Sequence, residues 1–473
     1  MKILLITPLA KYTATRWMPL GLSYIASMLK KNNHAVKLYD RFLRAHILGG
    51  EEAVNFEMKS EILSFKPDII GFSTVSPLIY DTLECVQYIR DFYDGIMIAG
   101  GHHATAMPEH TLKKIPGIDF VAAGEGEYTI LSLADGKDPC SIPGLFPRGT
   151  ENPFFKFART SNLDELPQPD YKILDMNYYT RTNSYTIKGF YLRTASILSS
   201  RGCVNNCNFC TESLTYGKGF RFHSADYVIE NIERLITDYK VEGVYFNDNN
   251  FLSSYTHAEN ICRKIIFRNL HKKIKWAIQA GTTTVNNEIL QLLAQAGCVK
   301  IEFGMESIKD SDLKIMNKNT TTDLNEIVLS LCRKNGIKAH SYFMAGFEGE
   351  NISDLDNTLA WINKFKPHTF SLSQLSIYPG TSLYETSGDK FFEKNIWTRN
   401  NIENYFKDGK LSNTTKEEKI GWYLKTFKPF FSKYFRHAIL QANSPIAILK
   451  MAYKKFFAFL FVIFFCMLYL YRR

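Results

Sequence analysis

Ser199-Ser200-Arg201-Gly202-Cys203-Val204-Asn205-Asn206-Cys207-Asn208-Phe209-Cys210 decides how this chain is read. Three thiolates in a C-x3-C-x2-C run can hold three irons of a cubane 4Fe-4S cluster, which leaves the fourth iron open to a small molecule. An open iron implies chemistry at the cluster and not electron storage alone. The alternative is a zinc knuckle, but zinc usually takes a fourth Cys or His at a matching spacing. His223 stands thirteen residues past Cys210, alone.

The cysteines follow a strand signal over Tyr191 to Ser199, which delivers them to a loop at a strand's carboxyl end, where barrel enzymes keep their sites. A helical stretch, Ser224 to Tyr239, leads to a short apolar strand over Gly243 to Phe246 that ends in Asn247-Asp248-Asn249-Asn250-Phe251. Ile274 to Gln279 reads as a third strand, followed by a helix around Glu288 to Gln295. The fourth, Val299 to Gly304, ends in Met305-Glu306-Ser307. A helix over Leu324 to Lys334 precedes a fifth strand, Ile337 to Gly346, and the sixth runs from Phe370 to Tyr378. Strands alternating with helices of this length predict βαβ units and a parallel sheet.

The cysteine motif, with Arg201-Gly202 before it and Phe209 inside it, resembles that of the radical S-adenosylmethionine (SAM) enzymes. In that family the open iron is chelated by the amino and carboxylate groups of SAM. The resemblance implies a partial (β/α)6 TIM-type barrel with Cys203, Cys207 and Cys210 as cluster ligands. It also implies a SAM site at Phe209, Asp248, Glu306 and Gly346, in which Asp248 receives the amino group and Glu306 accepts hydrogen bonds from ribose hydroxyls.

Ahead of this lies a second α/β pattern. Apolar strands are expected at 1–6, 35–40, 68–74, 96–103 and 120–127, with a helix from Pro19 to Lys31. Ligands of doubly wound sheets bind outside the strands' carboxyl ends. Here those ends are Ser73-Thr74, Gly100-Gly101-His102-His103 and Gly124-Glu125-Gly126-Glu127. Glycines there let backbone approach a large ligand closely. The arrangement resembles the doubly wound, Rossmann-like cobalamin-binding domain that precedes the barrel in class B-like radical SAM enzymes. It implies cobalamin contacts at Ser73, Thr74, Gly100, Gly101, Gly124, Glu125 and Gly126. The Asp-x-His-x-x-Gly signature is absent, which implies cobalt without a lower histidine ligand. His102 and His103, adjacent on an expected strand, would point to opposite faces.

The expected organisation is a cobalamin-binding domain (1–140), a linker (141–190) containing Pro167 and Pro169, the barrel (191–390), a helical C-terminal region (391–450) and an apolar tail (451–473). With 473 residues and 45% hydrophobic content the chain can bury two cores. The six remaining cysteines are scattered singly and form no disulfide framework, which suits a reducing cytoplasm. The net charge of +10 does not point to nucleic acid, because basic residues are spread out and much of the excess lies past residue 410. From Phe456 to Tyr471 no residue is charged. As a helix this run would reach about 24 Å, short of the ~30 Å hydrocarbon core. It reads as an anchor or deep insertion at the inner face of a membrane, with a helix buried against protein as the alternative.

The function these resemblances imply is a cobalamin-dependent radical SAM methyltransferase acting on an unactivated carbon of a small-molecule or lipid substrate. A 5′-deoxyadenosyl radical would abstract hydrogen, and an electron donor such as flavodoxin or ferredoxin would reduce the cluster. Two alternatives share the motifs: an oxidative cyclase or carbon-carbon bond-forming enzyme without methyl transfer, and a cobalamin-binding sensor with a relic barrel. The three intact cysteines argue against the sensor.

Overall fold

The computed structural model describes residues 1–9, 18–149, 157–217, 219–347, 349–388 and 390–408. Its first sheet contains strands β1 (Lys2–Thr7), β2 (Ala35–Asp40), β3 (Ile69–Ser73), β4 (Ile96–Gly100), β5 (Phe120–Ala122) and β6 (Leu145–Pro147). Their order is β2-β1-β3-β4-β5-β6, parallel except for β6. The apolar run Ile3-Leu4-Leu5-Ile6 explains why helices cover both faces. Leu4 and Ile6 enter one core with Ile70 and Met97, while Ile3 and Leu5 enter another with the helices Leu20–Lys31 and Gly126–Ala134.

Two expected strands end early. At Gly101 φ is +100°, and a Cβ there would lie 2.7 Å from the Thr74 carbonyl oxygen. The chain therefore turns, and His102 and His103 open a short helix, His102–Ala106, instead of ending a strand. Gly124, at φ +89° and with its Cβ position 2.5 Å from the Ala158 carbonyl oxygen, likewise ends the fifth run before Gly126–Ala134. The expected linker also begins later in space than in sequence, because β6 completes the first sheet.

The remaining strands are β7 (Thr194–Ile197), β8 (Ser200–Cys203), β9 (Gly219–Phe222), β10 (Gly243–Phe246), β11 (Lys275–Ala280), β12 (Cys298–Glu306), β13 (Lys338–Ala345) and β14 (Thr369–Gln374). Six of them form a parallel sheet in the order β7-β10-β11-β12-β13-β14, the expected open barrel. The helix Ala225–Tyr239 shows why the outer layer forms. Ser224 caps it by accepting from the Tyr227 amide at 3.2 Å, Val228, Ile229, Ile232 and Leu235 form its buried stripe, and Lys240 closes it in the left-handed region. The strand expected over 191–199 is broken after Ile197. Residues 200–203 pair instead with 219–222 as an antiparallel ribbon that brackets the cysteine loop.

The linker is a strap and not a free tether. Ser27 Oγ donates to the Gln168 carbonyl at 2.6 Å, Gln168 Nε2 donates to the Tyr227 carbonyl at 2.9 Å, and the Tyr227 hydroxyl donates to the Pro167 carbonyl at 3.1 Å. Helical segments Phe391–Lys394 and Arg399–Asp408 return to the first domain, where Phe392, Trp397 and Ile402 join its core. The apolar tail lies outside the described residues. Among the described residues no helix is long and apolar enough to cross a membrane.

Between the two halves sits a buried ion cluster. Arg201, 4% exposed, places Nη2 2.6 Å from Glu127 Oε1 and Nη1 3.3 Å from Glu125 Oε2. Arg221 Nη1 donates to Glu125 Oε2 at 3.1 Å. Arg201→Ala would leave two buried carboxylates under-compensated. It should cost about 3–5 kcal/mol in chemical denaturation, and a loss within 0.5 kcal/mol would show that the cluster does not bind the halves together.

Candidate active site

Cys203, Cys207 and Cys210 line one cavity of about 370 Å³ in the mouth of the barrel. Cys203 ends β8, and the Cys210 amide donates to the Cys207 carbonyl at 3.2 Å, which curls the loop so that all three face the same space. The loop is held from outside. Asn208 donates through its amide to the Met316 carbonyl (3.1 Å) and through Nδ2 to the Ile315 carbonyl (2.8 Å), and Asn317 Nδ2 donates to the Asn206 carbonyl (2.7 Å). Phe209 lines the cavity and packs on Leu313, Met316, Phe347 and Leu375. Burial pushes the Cys210 thiol up to about 12 and raises Cys207 as well, although Lys318 works against the latter. Three soft sulfur donors on one cavity, in a place that disfavours free thiolates, fit a metal cluster that would hold them deprotonated. His223 is not a fourth ligand: its Nδ1 lies 3.2 Å from Asp164 Oδ1 and its ring stacks on Tyr227.

Glu306 lines the same cavity, at φ +63° beside a bulge between β12 and β13, with Lys318 Nζ 2.7 Å from its Oε1. Burial draws the Lys318 ammonium down, but Glu306 and Cys207 outweigh it and its pKa ends raised. Asn249, Asn250, Gln279 and Gly281 complete the wall next to the cysteines.

The structure places two of the expected SAM residues, Asp248 and Gly346, off the cavity wall. Asp248 is fully buried and lines neither cavity. Its carboxylate accepts from the Ser199 amide (2.8 Å) and from the hydroxyls of Ser199 and Ser200, so it shapes the entry to the cysteine loop. Burial pushes its pKa up to about 6 against these hydrogen bonds. Gly346 also lies off the cavity wall, at φ +102°, donating its amide to Glu350.

A second cavity, about 420 Å³, opens above the carboxyl ends of β1, β3, β4 and β5. Ser73, Gly100, Gly101, Gly124, Glu125 and Gly126 line it together with His102, whose Nδ1 is 3.0 Å from Thr215 Oγ1. Thr74 does not. It is fully buried, donating its hydroxyl to the Gly100 carbonyl at 2.8 Å and accepting from the Ala104 amide at 3.1 Å. His103 is turned away onto Ser76 and Trp397, and burial lowers its pKa to about 3. At Gly21 a Cβ would meet no atom within 4 Å, so the glycine-edged wall leaves open room for a ligand such as cobalamin. Glu212 and Asn249 line both cavities. No spacing or pattern in the sequence singles out Glu212 or Lys318. Asn249 belongs to the polar run Asn247 to Asn250, and Glu212 follows Cys210 by two residues.

A B12 binding domain model matches residues 6–134 and a Radical SAM superfamily model matches residues 197–362. An uncharacterized methyltransferase of Pyrococcus horikoshii, PH0819, is 30% identical over 81% of this chain and 83% of its own length. The anaerobic magnesium-protoporphyrin IX monomethyl ester cyclase of Rubrivivax gelatinosus is 24% identical over 80% of this chain and 67% of its own. In fold, the chain is similar to the radical SAM methyltransferase TsrM from Kitasatospora setae, with a TM-score of 0.66 at 21% identity over 81% of this chain and 76% of that one. The chain belongs to the radical SAM enzymes that carry an N-terminal cobalamin-binding domain.

Because Asp248 holds Ser199 and Ser200, Asp248→Ala should release the cysteine loop and lower iron retention along with SAM affinity. A variant with full iron content and impaired SAM binding would return Asp248 to the SAM site.

Proposed function

We propose that this chain is a cobalamin-dependent radical SAM methyltransferase acting on an unactivated carbon of a small-molecule or lipid substrate. The observation that carries the reading is the wall of Glu212 and Asn249, common to both cavities. When bound, the cluster with SAM supplies a carbon radical and cobalamin supplies a methyl group; one substrate can meet both only where their sites adjoin. Cys203, Cys207 and Cys210 offer three iron ligands. Glu306, held by Lys318, would present a carboxylate to ribose hydroxyls, Asn249 would offer its amide oxygen to the SAM amino group, and Asn250 holds the wall by accepting from the Gly281 amide. Phe209 packs the cysteine loop against the barrel. Gly100, Gly101, Gly124 and Gly126 give close backbone to a corrin, and Glu125 is pinned at its edge by Arg201 and Arg221. The electron comes from a donor such as flavodoxin or ferredoxin.

Anaerobic incubation with reductant, SAM, cobalamin and a lipid or metabolite extract should yield a product heavier by one methyl group in mass spectrometry. The triple alanine variant of the three cysteines should lack both iron and 5′-deoxyadenosine formation. Gly21→Leu should lose cobalamin and keep iron. A dehydrogenated product without added methyl would move the reading to the ring-closing chemistry named in the Rubrivivax relative.

The lipid option rests on the apolar run 456–471, which must be covered by lipid or by protein because exposure costs roughly 1.5–3 kcal/mol per large apolar side chain. Truncation before Lys450 should release a folded, iron-retaining body from the membrane fraction. Aggregation of the truncated chain, or a full-length chain found in the soluble fraction, would remove both the anchor and the lipid.

A further inference from the structure

The inner floor of the cysteine cavity holds a carboxylate that is satisfied on one side only. Glu302, on β12, is 1% exposed and lines the cavity. Its Oε2 accepts three donors: Lys188 Nζ at 2.5 Å, the Tyr245 hydroxyl at 3.2 Å and the Tyr342 hydroxyl. Its Oε1 is buried and has no hydrogen-bond partner among the described residues. A buried carboxylate oxygen calls for a hydrogen-bond donor, and no protein group among the described residues supplies one.

The surroundings are built and not incidental. Tyr245, Glu302 and Tyr342 come from three strands, and Gln279 Nε2 from a fourth fixes the Tyr245 hydroxyl at 2.8 Å. Lys188 closes the floor from the segment before β7, and its carbonyl accepts from Lys300, whose Nζ also donates to Thr369 Oγ1 at 2.6 Å. Glu302, Gly304 and Glu306 alternate along β12 and all line the cavity. The bulge after Gly304 interrupts the regular rise, and the Glu306 carboxylate folds back over Gly304, two residues from Glu302 on the same strand. Glu302 is held by donors from two strands and from Lys188, none of them on the cysteine loop, so its part of the wall is distinct from the one Cys203, Cys207 and Cys210 form.

We propose that Glu302 is a specificity-determining residue for the methyl acceptor, with Oε1 accepting a hydrogen bond from a neutral hydroxyl or N–H of that substrate. Lys188 already balances the carboxylate's charge, so Oε1 suits a neutral donor rather than a second cation. The inference rests on reading this cavity as the radical SAM site. A site built to hydrogen-bond a substrate hydroxyl rejects the analogue that lacks it far more strongly than an apolar pocket distinguishes sizes.

The test uses the full-length, cluster-loaded protein with SAM and a matched probe pair, benzyl alcohol and benzyl methyl ether, titrated by saturation-transfer NMR. The alcohol should bind at least ten-fold more tightly than the ether, and the gap should vanish in Glu302→Ala. Equal binding of the two probes to the unaltered protein would overturn the proposal and assign Oε1 to water, whether or not the variant folds. If the SAM dissociation constant rises in Glu302→Ala as much as that of the alcohol, the group serves SAM and the proposal also falls. The probe comparison stands apart from the proposed function, which fails separately if the unaltered protein forms no 5′-deoxyadenosine.

Discussion

The bond between Arg201 and the pair Glu125 and Glu127 is the constraint on which the two-cavity site depends. Arg201 lies two residues before Cys203, while Glu125 and Glu127 flank Gly126 at the start of a helix in the first domain. One guanidinium thus fixes the entry to the cysteine loop and the rim of the other cavity together. Burial works against the Arg201 charge, but Glu127 and Glu125 outweigh it and raise its pKa. Tyr24 and Tyr216 face it, with the guanidinium carbon 5.3 and 5.9 Å from their ring centres. Charges taken this far from water are tolerated only when geometry and hydrogen bonding compensate them. The spacing of the cavities is therefore set by buried, paired side chains.

The strap at Pro167 to Pro169 acts in the same sense. It ties helix Leu20–Lys31 of one half to helix Ala225–Tyr239 of the other through backbone carbonyls, so the carboxyl ends of both parallel sheets open toward one space. That is where each architecture places its ligands. Trp397 and Phe392 close the arrangement from behind, pressing the C-terminal segment onto His103.

Regular elements were legible in the sequence because their signals are local. β10 spans the residues its apolar run marks, and the helix Ala225–Tyr239 is announced by Ser224 and a 3.6-residue stripe. What the sequence could not settle was direction. In Asn247-Asp248-Asn249-Asn250 every residue is polar, and only the turn after Phe246 determines that Asp248 points inward to Ser199 while Asn249 and Asn250 face the cavity. Thr74 and Ser73 divide in the same way. The β8–β9 ribbon gives no alternating pattern, since Ser200, Arg201 and Gly202 are placed by Asp248, Glu127 and a positive φ instead of by burial of one face. β6 is short and ends in Pro147, a residue suited to an edge strand but easily read as a linker.

Local costs gather at the cysteine cavity. Glu306 adopts a left-handed backbone that costs a non-glycine residue about 1–3 kcal/mol. Asn250 Nδ2, Glu212 Oε2 and Glu302 Oε1 are buried without hydrogen-bond partners among the described residues, and all three side chains line this wall. This donor and these two carboxylate oxygens line one wall and make no hydrogen bond to one another. Each is the kind of group that a polar ligand relieves, so binding there recovers what folding gave up. The ion cluster at Arg201 and the packed strap stabilise the surrounding frame, which lets the strained rim at Glu306 and the half-satisfied carboxylate of Glu302 persist in one fold.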